Sequence, residues 1–323
     1  ATAYLQYYTY LHHIVDQHID NVMKTLDETG LSENTIVLFV PDHGEYGAAH
    51  GGMLQKWHTA YQETLQVPVV VAMPPSYDVG DEDGPRQIEK LTSHIDLLPT
   101  LLGLSQTEEG DISQAERILQ ASGHDTLPLV GADLSPLITD KSVDTIVEPN
   151  GETRVGVLFA TDDMITEAFT EPLEEDLNPV EQNHLDEYEE NFDLYLKMVP
   201  EYKTKWSEEI DAANFPDGSI AQPCHVVCYR EDSWKLVRYA DTEGHRTDEG
   251  SQNFQWEMYN LDWDPNEEQN LLVAKTSSIT VQPGITYPDP GMTTAMVAQK
   301  AADLYDNMEA QIQAKLVPQE TYQ

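Results

Sequence analysis

The stretch that decides the fold is residues 35–73, which read TIVLFVPDHGEYGAAHGGMLQKWHTAYQETLQVPVVVAM. It begins with a short apolar, β-branched run at 36–40, the pattern of a buried strand, and a second such run follows at 67–72. Asp42 and His43 come directly after the first run. Ligands of α/β proteins bind at the carboxyl ends of parallel strands. The pattern therefore predicts an α/β fold with a ligand site at residues 42 and 43.

A glycine-rich loop and a lysine lie between the two predicted strands. The glycines of this loop allow the backbone to approach a bound group closely. Lys56 follows the loop, in a chain that has 17 basic residues against 58 acidic ones. Because a chain this acidic repels an anionic ligand unless the site is locally cationic, Lys56 is a candidate for anion binding.

Several pieces of the chain resemble the sulfatase family of the alkaline-phosphatase superfamily. The matching pieces are NTIVLFVPDHGE (34–45), HGG (50–52), QKWHTAYQE (55–63), VPVVVAMP (67–74), SHIDLLPTLLGL (93–104) and EMYNLDWDPNEEQNLL (257–272). They occur in the order expected for the family. The resemblance covers the C-terminal part of the catalytic domain and the C-terminal subdomain.

The resemblance implies a role for each polar residue of the loop. Asp42 and His43 would be metal ligands, and Lys56 would be a catalytic and substrate-binding residue that contacts sulfate and leaving-group oxygens. His58 would protonate the leaving group or bind sulfate, and His50 would line the rim of the pocket. The cofactor would be one divalent cation, with Ca²⁺ expected and Mn²⁺ or Zn²⁺ left open by the imidazole ligand. A surface lysine at 56 and a flexible loop at 50 are the simpler alternatives.

The function implied by the resemblance is metal-dependent hydrolysis of a sulfuric ester. The family's nucleophile, a formylglycine, arises in the motif Cys/Ser-x-Pro/Ala-x-Arg; PCHVVCYR (223–230) does not fit it, and we expect no serine segment of this chain to fit. The nucleophile and the remaining metal ligands are therefore expected outside this chain, in an upstream polypeptide half or another subunit. Two alternatives stay open: a phosphodiester or phosphonate-ester hydrolase of the same superfamily, and a non-catalytic sulfatase-like structural or surface protein.

The resemblance also implies the domain organisation. Residues 1–145 would form part of an alkaline-phosphatase-like domain, a mostly parallel sheet flanked by helices, and residues 146–323 a smaller α+β subdomain with an antiparallel sheet and an acidic helical insertion at 162–205. The apolar spacing predicts helices at 1–29, 91–104 and 293–316. Alternating segments predict a hairpin at 225–239 with its turn at 230–233.

The net charge of −41 restricts the partners of the chain. Such a charge repels nucleic acid and anionic membranes, so neither is an expected partner. The resemblance implies a sulfated small molecule or glycan as substrate, and a homo-oligomer is left open. Acidic residues spread along the whole chain favour a high-salt environment, and an extracellular or cell-surface location is preferred.

Two further features concern the membrane and the redox state. No apolar run approaches 18 residues, so no membrane span is predicted. Cys224 and Cys228 lie four residues apart on a predicted strand, too far for an easy disulfide, so free thiols are expected.

Overall fold

The computed structural model describes residues 2–56, 59–77, 79, 84–162, 225–240, 254–274 and 278–316. Helix α1 spans Thr2–Glu28, as its apolar spacing predicts. Gly30 follows it at φ 72°, a left-handed conformation that only glycine adopts readily. No residue of α1 is buried, and Val22 is 68% exposed. The helix therefore presents an uncovered apolar face.

The decisive stretch forms two short strands joined by a long loop. Strand β1 is Val37–Phe39 and β2 is Val70–Ala72, with helices α2 (Ala49–Gly52) and α3 (Gln62–Leu65) between them. The strands pair antiparallel, with Leu38 opposite Val71.

The pairing corrects one part of the sequence-based expectation. All strand pairs in the described ranges are antiparallel, whereas we expected a mostly parallel sheet. A parallel pair requires a crossover connection, usually a full helix, and α2 and α3 have only four residues each. The two strands are also only partly buried, since Val70 is 54% exposed.

The central part of the chain is helical. It contains a 3-10 helix at His94–Asp96, then α4 (Leu97–Leu104), α5 (Glu109–Ala121) and α6 (Ser135–Thr139). The predicted helix at 91–104 thus begins as a 3-10 turn, capped by Ser93 and Asp96. Buried Asp96 also forms two hydrogen bonds with Arg154, at 2.6 and 2.8 Å. This ion pair joins the start of α4 to the strand region that follows.

A four-stranded antiparallel sheet forms the C-terminal part. Its strands lie in chain order: β3 (Gly156–Asp162), β4 (His225–Glu231), β5 (Trp234–Ala240) and β6 (Gln255–Asn260). The predicted hairpin is confirmed, since Glu231 and Trp234 are paired at the turn between β4 and β5. Cys228 is buried with a free thiol, and burial raises its pKa to about 12. Cys224 and the expected acidic helical insertion from residue 163 onward lie outside the described residues.

Helix α7, Thr294–Lys315, packs on this sheet. The Thr293 hydroxyl caps it by accepting a hydrogen bond from the backbone N–H of Met296. The predicted inner face is confirmed for its buried positions, Val297, Ala301, Leu304 and Met308. Among the described helices, none combines the length and apolarity that crossing a bilayer requires. The proposed division into 1–145 and 146–323 stays a prediction.

Candidate active site

Asp42 and His43 lie just beyond the end of β1. The backbone N–H of His43 donates to Asp42 Oδ1 at 2.9 Å, and this hydrogen bond holds the pKa of Asp42 below its usual value. His43 Nδ1 lies 2.8 Å from the carbonyl oxygen of Gly44, which can only accept, so Nδ1 carries the ring proton. The unprotonated Nε2 then lies 3.2 Å from Asp42 Oδ2. A carboxylate oxygen and an imidazole lone pair thus face the same region.

Lys56 meets the same imidazole. Its Nζ donates a hydrogen bond to His43 Nε2. The structure therefore brings together three of the predicted site residues, Asp42, His43 and Lys56, although 13 residues separate His43 from Lys56. In this structure the Lys56 ammonium therefore bonds to the same imidazole nitrogen that would ligate a metal cation.

Asp42 and His43 meet part of what a divalent cation requires of its ligands. Two ligand atoms bound to one ion at a right angle lie about 3.0–3.7 Å apart for bond lengths of about 2.1–2.6 Å, the range from Zn²⁺ to Ca²⁺. The 3.2 Å between His43 Nε2 and Asp42 Oδ2 fits this geometry. Within the described ranges, however, no group of three or more His, Cys, Asp or Glu side chains converges as a metal site would require. The two residues fit part of a coordination sphere.

The backbone beside the site is fixed by the segment around α3. The N–H groups of Gly44 and Glu45 donate to the carbonyl oxygens of Thr64 and Glu63, both at 2.9 Å. A Cβ on Gly44 would lie 1.9 Å from the Glu63 carbonyl oxygen, so this close approach requires glycine. The sequence signal for this contact was the glycine directly after Asp-His.

Glu45 stabilises the loop between the two halves of the site. Its Oε1 accepts hydrogen bonds from the backbone N–H groups of Gly47, at 3.2 Å, and Gln55, at 2.7 Å. Because Gln55 directly precedes Lys56, this hydrogen bond fixes the backbone next to the lysine.

His50 lies against α3 and its preceding residue. Its Nε2 is 3.0 Å from Glu63 Oε2, and its ring stacks on Tyr61 with 3.8 Å between centroids. Its side chain is 11% exposed. Its role at the pocket rim stays a prediction, and His58 lies outside the described residues.

Other residues contact the segments of the site, and the sequence predicted none of these contacts. His94 Nε2 donates to the carbonyl oxygen of Pro41 at 2.9 Å, directly before Asp42. Lys235 and Glu267 form a buried ion pair that bonds to Ala60 and Gln62. Their sequence signal was weak, because a single lysine in a strand and a glutamate in an acidic turn are ordinary on a surface.

One sequence-based statement about the nucleophile needs correction. SQAER (113–117) does fit the letters of Cys/Ser-x-Pro/Ala-x-Arg, contrary to the expectation that no serine segment would. It lies within α5, a helix without a buried residue, and it follows the Asp-His strand in the chain. The motif specifies only three of its five positions, and two of these accept either of two residue types, so a chance match is unsurprising. The family's nucleophile is also expected upstream of this strand.

Comparisons with known proteins relate the first third of the chain to sulfatases. Residues 1–107 match the sequence model of the sulfatase family. An uncharacterised sulfatase of Escherichia coli, YidJ, is 33% identical over 105 residues, which are 32% of this chain and 19% of the relative. An arylsulfatase of Chlamydomonas reinhardtii is 34% identical over 114 residues, 35% of this chain and 16% of the relative.

One solved structure resembles most of the chain in fold. This structure comes from work on glycosaminoglycan metabolism by Bacteroides thetaiotaomicron. It aligns with a TM-score of 0.52 and 17% sequence identity, and the alignment covers 93% of this chain and 41% of that chain. The chain thus spans less than a fifth of the length of the two curated relatives named above. Residues 1–107 are therefore similar to the sulfatase family, and most of the chain resembles that solved structure in fold, which agrees with the predicted alkaline-phosphatase-like α/β class.

Proposed function

We propose that this chain is the C-terminal part of a metal-dependent sulfatase that hydrolyses a sulfated small molecule or glycan. One observation supports this most directly: a carboxylate, an imidazole nitrogen and an ammonium group converge beyond β1, at Asp42, His43 and Lys56. Such a set can hold a cation and an anionic ester side by side. The match of residues 1–107 to the sulfatase family model supports the reaction class.

Asp42 and His43 would hold the divalent cation. The lowered pKa of Asp42 keeps its carboxylate ionised at neutral pH. The Nδ1 proton of His43 is engaged by Gly44, so the metal would bind Nε2 in place of the hydrogen bond that this atom accepts from Lys56. Ca²⁺ is the proposed ion, with Mn²⁺ and Zn²⁺ as alternatives because imidazole is a softer ligand than oxygen. When bound, the ion would polarise a sulfate oxygen.

Lys56 would bind the ester itself. Its ammonium carries three N–H donors and a positive charge, which can neutralise a sulfate oxygen and the oxygen of the leaving group. In a chain of net charge −41, this local cation offsets the repulsion between protein and substrate. His58, two residues further along, would protonate the leaving group or bind sulfate.

The nucleophile, a formylglycine, and the remaining ligands would come from sequence outside this chain. The described part contributes two candidate metal donors, fewer than a divalent cation takes. Apolar residues of the family segment are also uncovered, among them Val22 on α1, Val70 on β2 and Leu98 on α4. Exposed apolar surface of this extent marks a place that another part of a protein covers. An upstream sulfatase half would cover it.

Turnover by the complete enzyme, with the upstream part present, tests the function. We expect hydrolysis of an aryl sulfate to exceed that of an aryl phosphate, and Lys56→Ala to lower kcat/KM by about 10²- to 10³-fold. Lys24→Ala is the matched control, because Lys24 is an exposed lysine that pairs only with Asp20 one helical turn away in the described structure.

Three results would contradict this assignment in different ways. Preferred turnover of the aryl phosphate would favour the phosphodiester or phosphonate-ester hydrolase. Equal activity of the Lys56 and Lys24 variants would remove Lys56 from the site. Metal-free protein without turnover of either ester would favour the non-catalytic alternative. An intact mass well above that of 323 residues in native material would indicate that the upstream half is part of the same polypeptide.

A further inference from the structure

A buried ion pair of the C-terminal sheet contacts the segment that follows Lys56. Lys235 on β5 and Glu267 after β6 pair with each other, and both side chains are 0% exposed. Lys235 Nζ also donates to the carbonyl oxygen of Ala60 at 2.7 Å. Glu267 Oε2 accepts from the backbone N–H of Gln62 at 2.7 Å. The pair thus binds one carbonyl and one N–H of the same short segment.

The surroundings of the pair are built to hold it. Lys235 Nζ lies 5.9 Å from the ring centroid of Tyr61 and 5.8 Å from that of Tyr259. Glu267 adopts φ 54°, a conformation in which glycine or asparagine is favoured over glutamate. The carboxylate is therefore presented from a backbone position that costs free energy, which its bonds to Lys235 and Gln62 offset.

The segment held by the pair in turn holds the metal-type residues. Glu63 and Thr64, directly after Gln62, accept the backbone hydrogen bonds of Glu45 and Gly44. Gly44 follows His43, whose Nδ1 proton bonds to the Gly44 carbonyl. Lys56 lies only four residues before Ala60. Two successive hydrogen bonds therefore connect Glu267 to the backbone next to His43, and Lys235 holds the chain four residues after Lys56.

We propose that Lys235 and Glu267 are positioning residues, through which the C-terminal sheet sets the relative placement of His43 and Lys56. This inference rests on the proposed sulfatase function of the site. It gives the C-terminal subdomain a role in catalysis through the backbone contacts of Lys235 and Glu267. The pair acts through the backbone of residues 60–64.

The test uses a double variant, Lys235→Met with Glu267→Leu. Apolar side chains of similar size can replace a buried ion pair with little loss of stability, whereas removing one partner leaves a buried charge. The variant removes the bonds to Ala60 and Gln62 without an uncompensated charge. We expect amide hydrogen exchange at Gly44, Glu45 and Gln62 to accelerate at least about tenfold, while exchange in α7 stays unchanged.

A matched control and a second variant keep the test decisive. Lys300→Met removes another ion pair of the sheet, between α7 and Glu231, and we expect no change at Gly44 or Glu45. If the double variant fails to fold, Lys235→Gln with Glu267→Leu is the second variant: it also leaves no buried charge and removes the bond to the Gln62 N–H, but it keeps an N–H donor near the Ala60 carbonyl. Unchanged exchange at Gly44 and Glu45 in a folded variant of either kind would overturn the proposal.

Kinetics of the complete enzyme separate positioning from simple support. We expect the double variant to lower kcat by about 10- to 100-fold with KM changed much less, because misplaced reacting groups slow the chemical step. Faster exchange with unchanged kcat would overturn the positioning role. Faster exchange in an enzyme whose wild type hydrolyses neither ester would instead refute the proposed function and leave the structural coupling in place.

Discussion

Gly44 is the residue at which the site is most sensitive to a single methyl group. We predict that Gly44→Ala destabilises the fold by about 2 kcal/mol, because its Cβ would lie 1.9 Å from the Glu63 carbonyl oxygen and the backbone must move. Urea unfolding measures the change. Gly110→Ala is the control: its Cβ meets no atom within 4 Å in α5, so alanine should be neutral or slightly stabilising there. Equal effects of the two substitutions would contradict this account.

Glu257 gives the protein a pH dependence that can be measured. Burial raises its pKa above the ordinary value of 4.5, while Tyr239 and Tyr61 donate hydrogen bonds to its carboxylate at 2.7 and 3.3 Å. Between the unfolded and the raised folded pKa, the folded protein binds more protons than the unfolded chain. The free energy of unfolding contributed by this group therefore falls as pH rises above 4.5.

The expected result is a variant whose relative stability changes with pH. Glu257→Gln removes the ionisation, so its stability relative to wild type should improve from pH 4.5 toward pH 8, measured by urea unfolding at constant salt. Glu116→Gln on the exposed face of α5 is the control, where we expect no such trend. A constant difference between Glu257→Gln and wild type across this range would show that the buried carboxylate does not titrate differently on folding.

At the residue scale, the sequence predicted the converging groups but not what holds them. Asp42, His43 and Lys56 stood out because their chemistry and order are unusual within one segment. The Lys235 and Glu267 pair did not, because its bonds to Ala60 and Gln62 span 175 and 205 residues. Local sequence patterns carry no information about contacts over such separations, and the residue type alone does not show whether a lysine is buried or solvated.

Helices and strands were predictable where a regular spacing of apolar residues determines which face is buried. Helix α7 and the β4–β5 hairpin follow from spacing alone, because each buries one regular face against the sheet. The orientation of β1 relative to β2 did not follow, since it depends on the path of a 30-residue connection. The exposed face of α1 could not be foreseen either, because periodicity marks an apolar face but not what covers it.

Two methionines of helix α7 differ in burial and so test how this helix packs on the sheet. Met308 is 0% exposed in the core beneath the sheet, whereas Met296 on the same helix is 52% exposed. We predict that Met308→Ala lowers the free energy of unfolding by about 2–4 kcal/mol, through lost burial and a cavity. Met296→Ala should change it by less than about 0.5 kcal/mol. Comparable losses for both would mean that α7 is not docked by this face.

The whole molecule is dominated by its charge. With 58 acidic and 17 basic residues, repulsion among carboxylates destabilises the compact state wherever solvent does not screen it. Among the described residues, several of the scarce cations are used in buried or half-buried ion pairs, such as Arg154 with Asp96 and Lys300 with Glu231. These pairs compensate only part of the acidic excess, so the expected high-salt environment leads to a prediction for the salt dependence of stability.

We predict that the melting temperature rises steadily from low salt to about 1 M KCl. The Debye length falls from about 10 Å at 0.1 M to about 3 Å at 1 M, which removes repulsion between neighbouring surface carboxylates. Thermal melts followed by circular dichroism measure the trend, and NaCl should act like KCl because screening depends on ionic strength and not on the identity of the cation. A melting temperature that stays constant or falls with KCl would contradict high-salt adaptation. A rise in NaCl alone would indicate specific ion binding in place of screening.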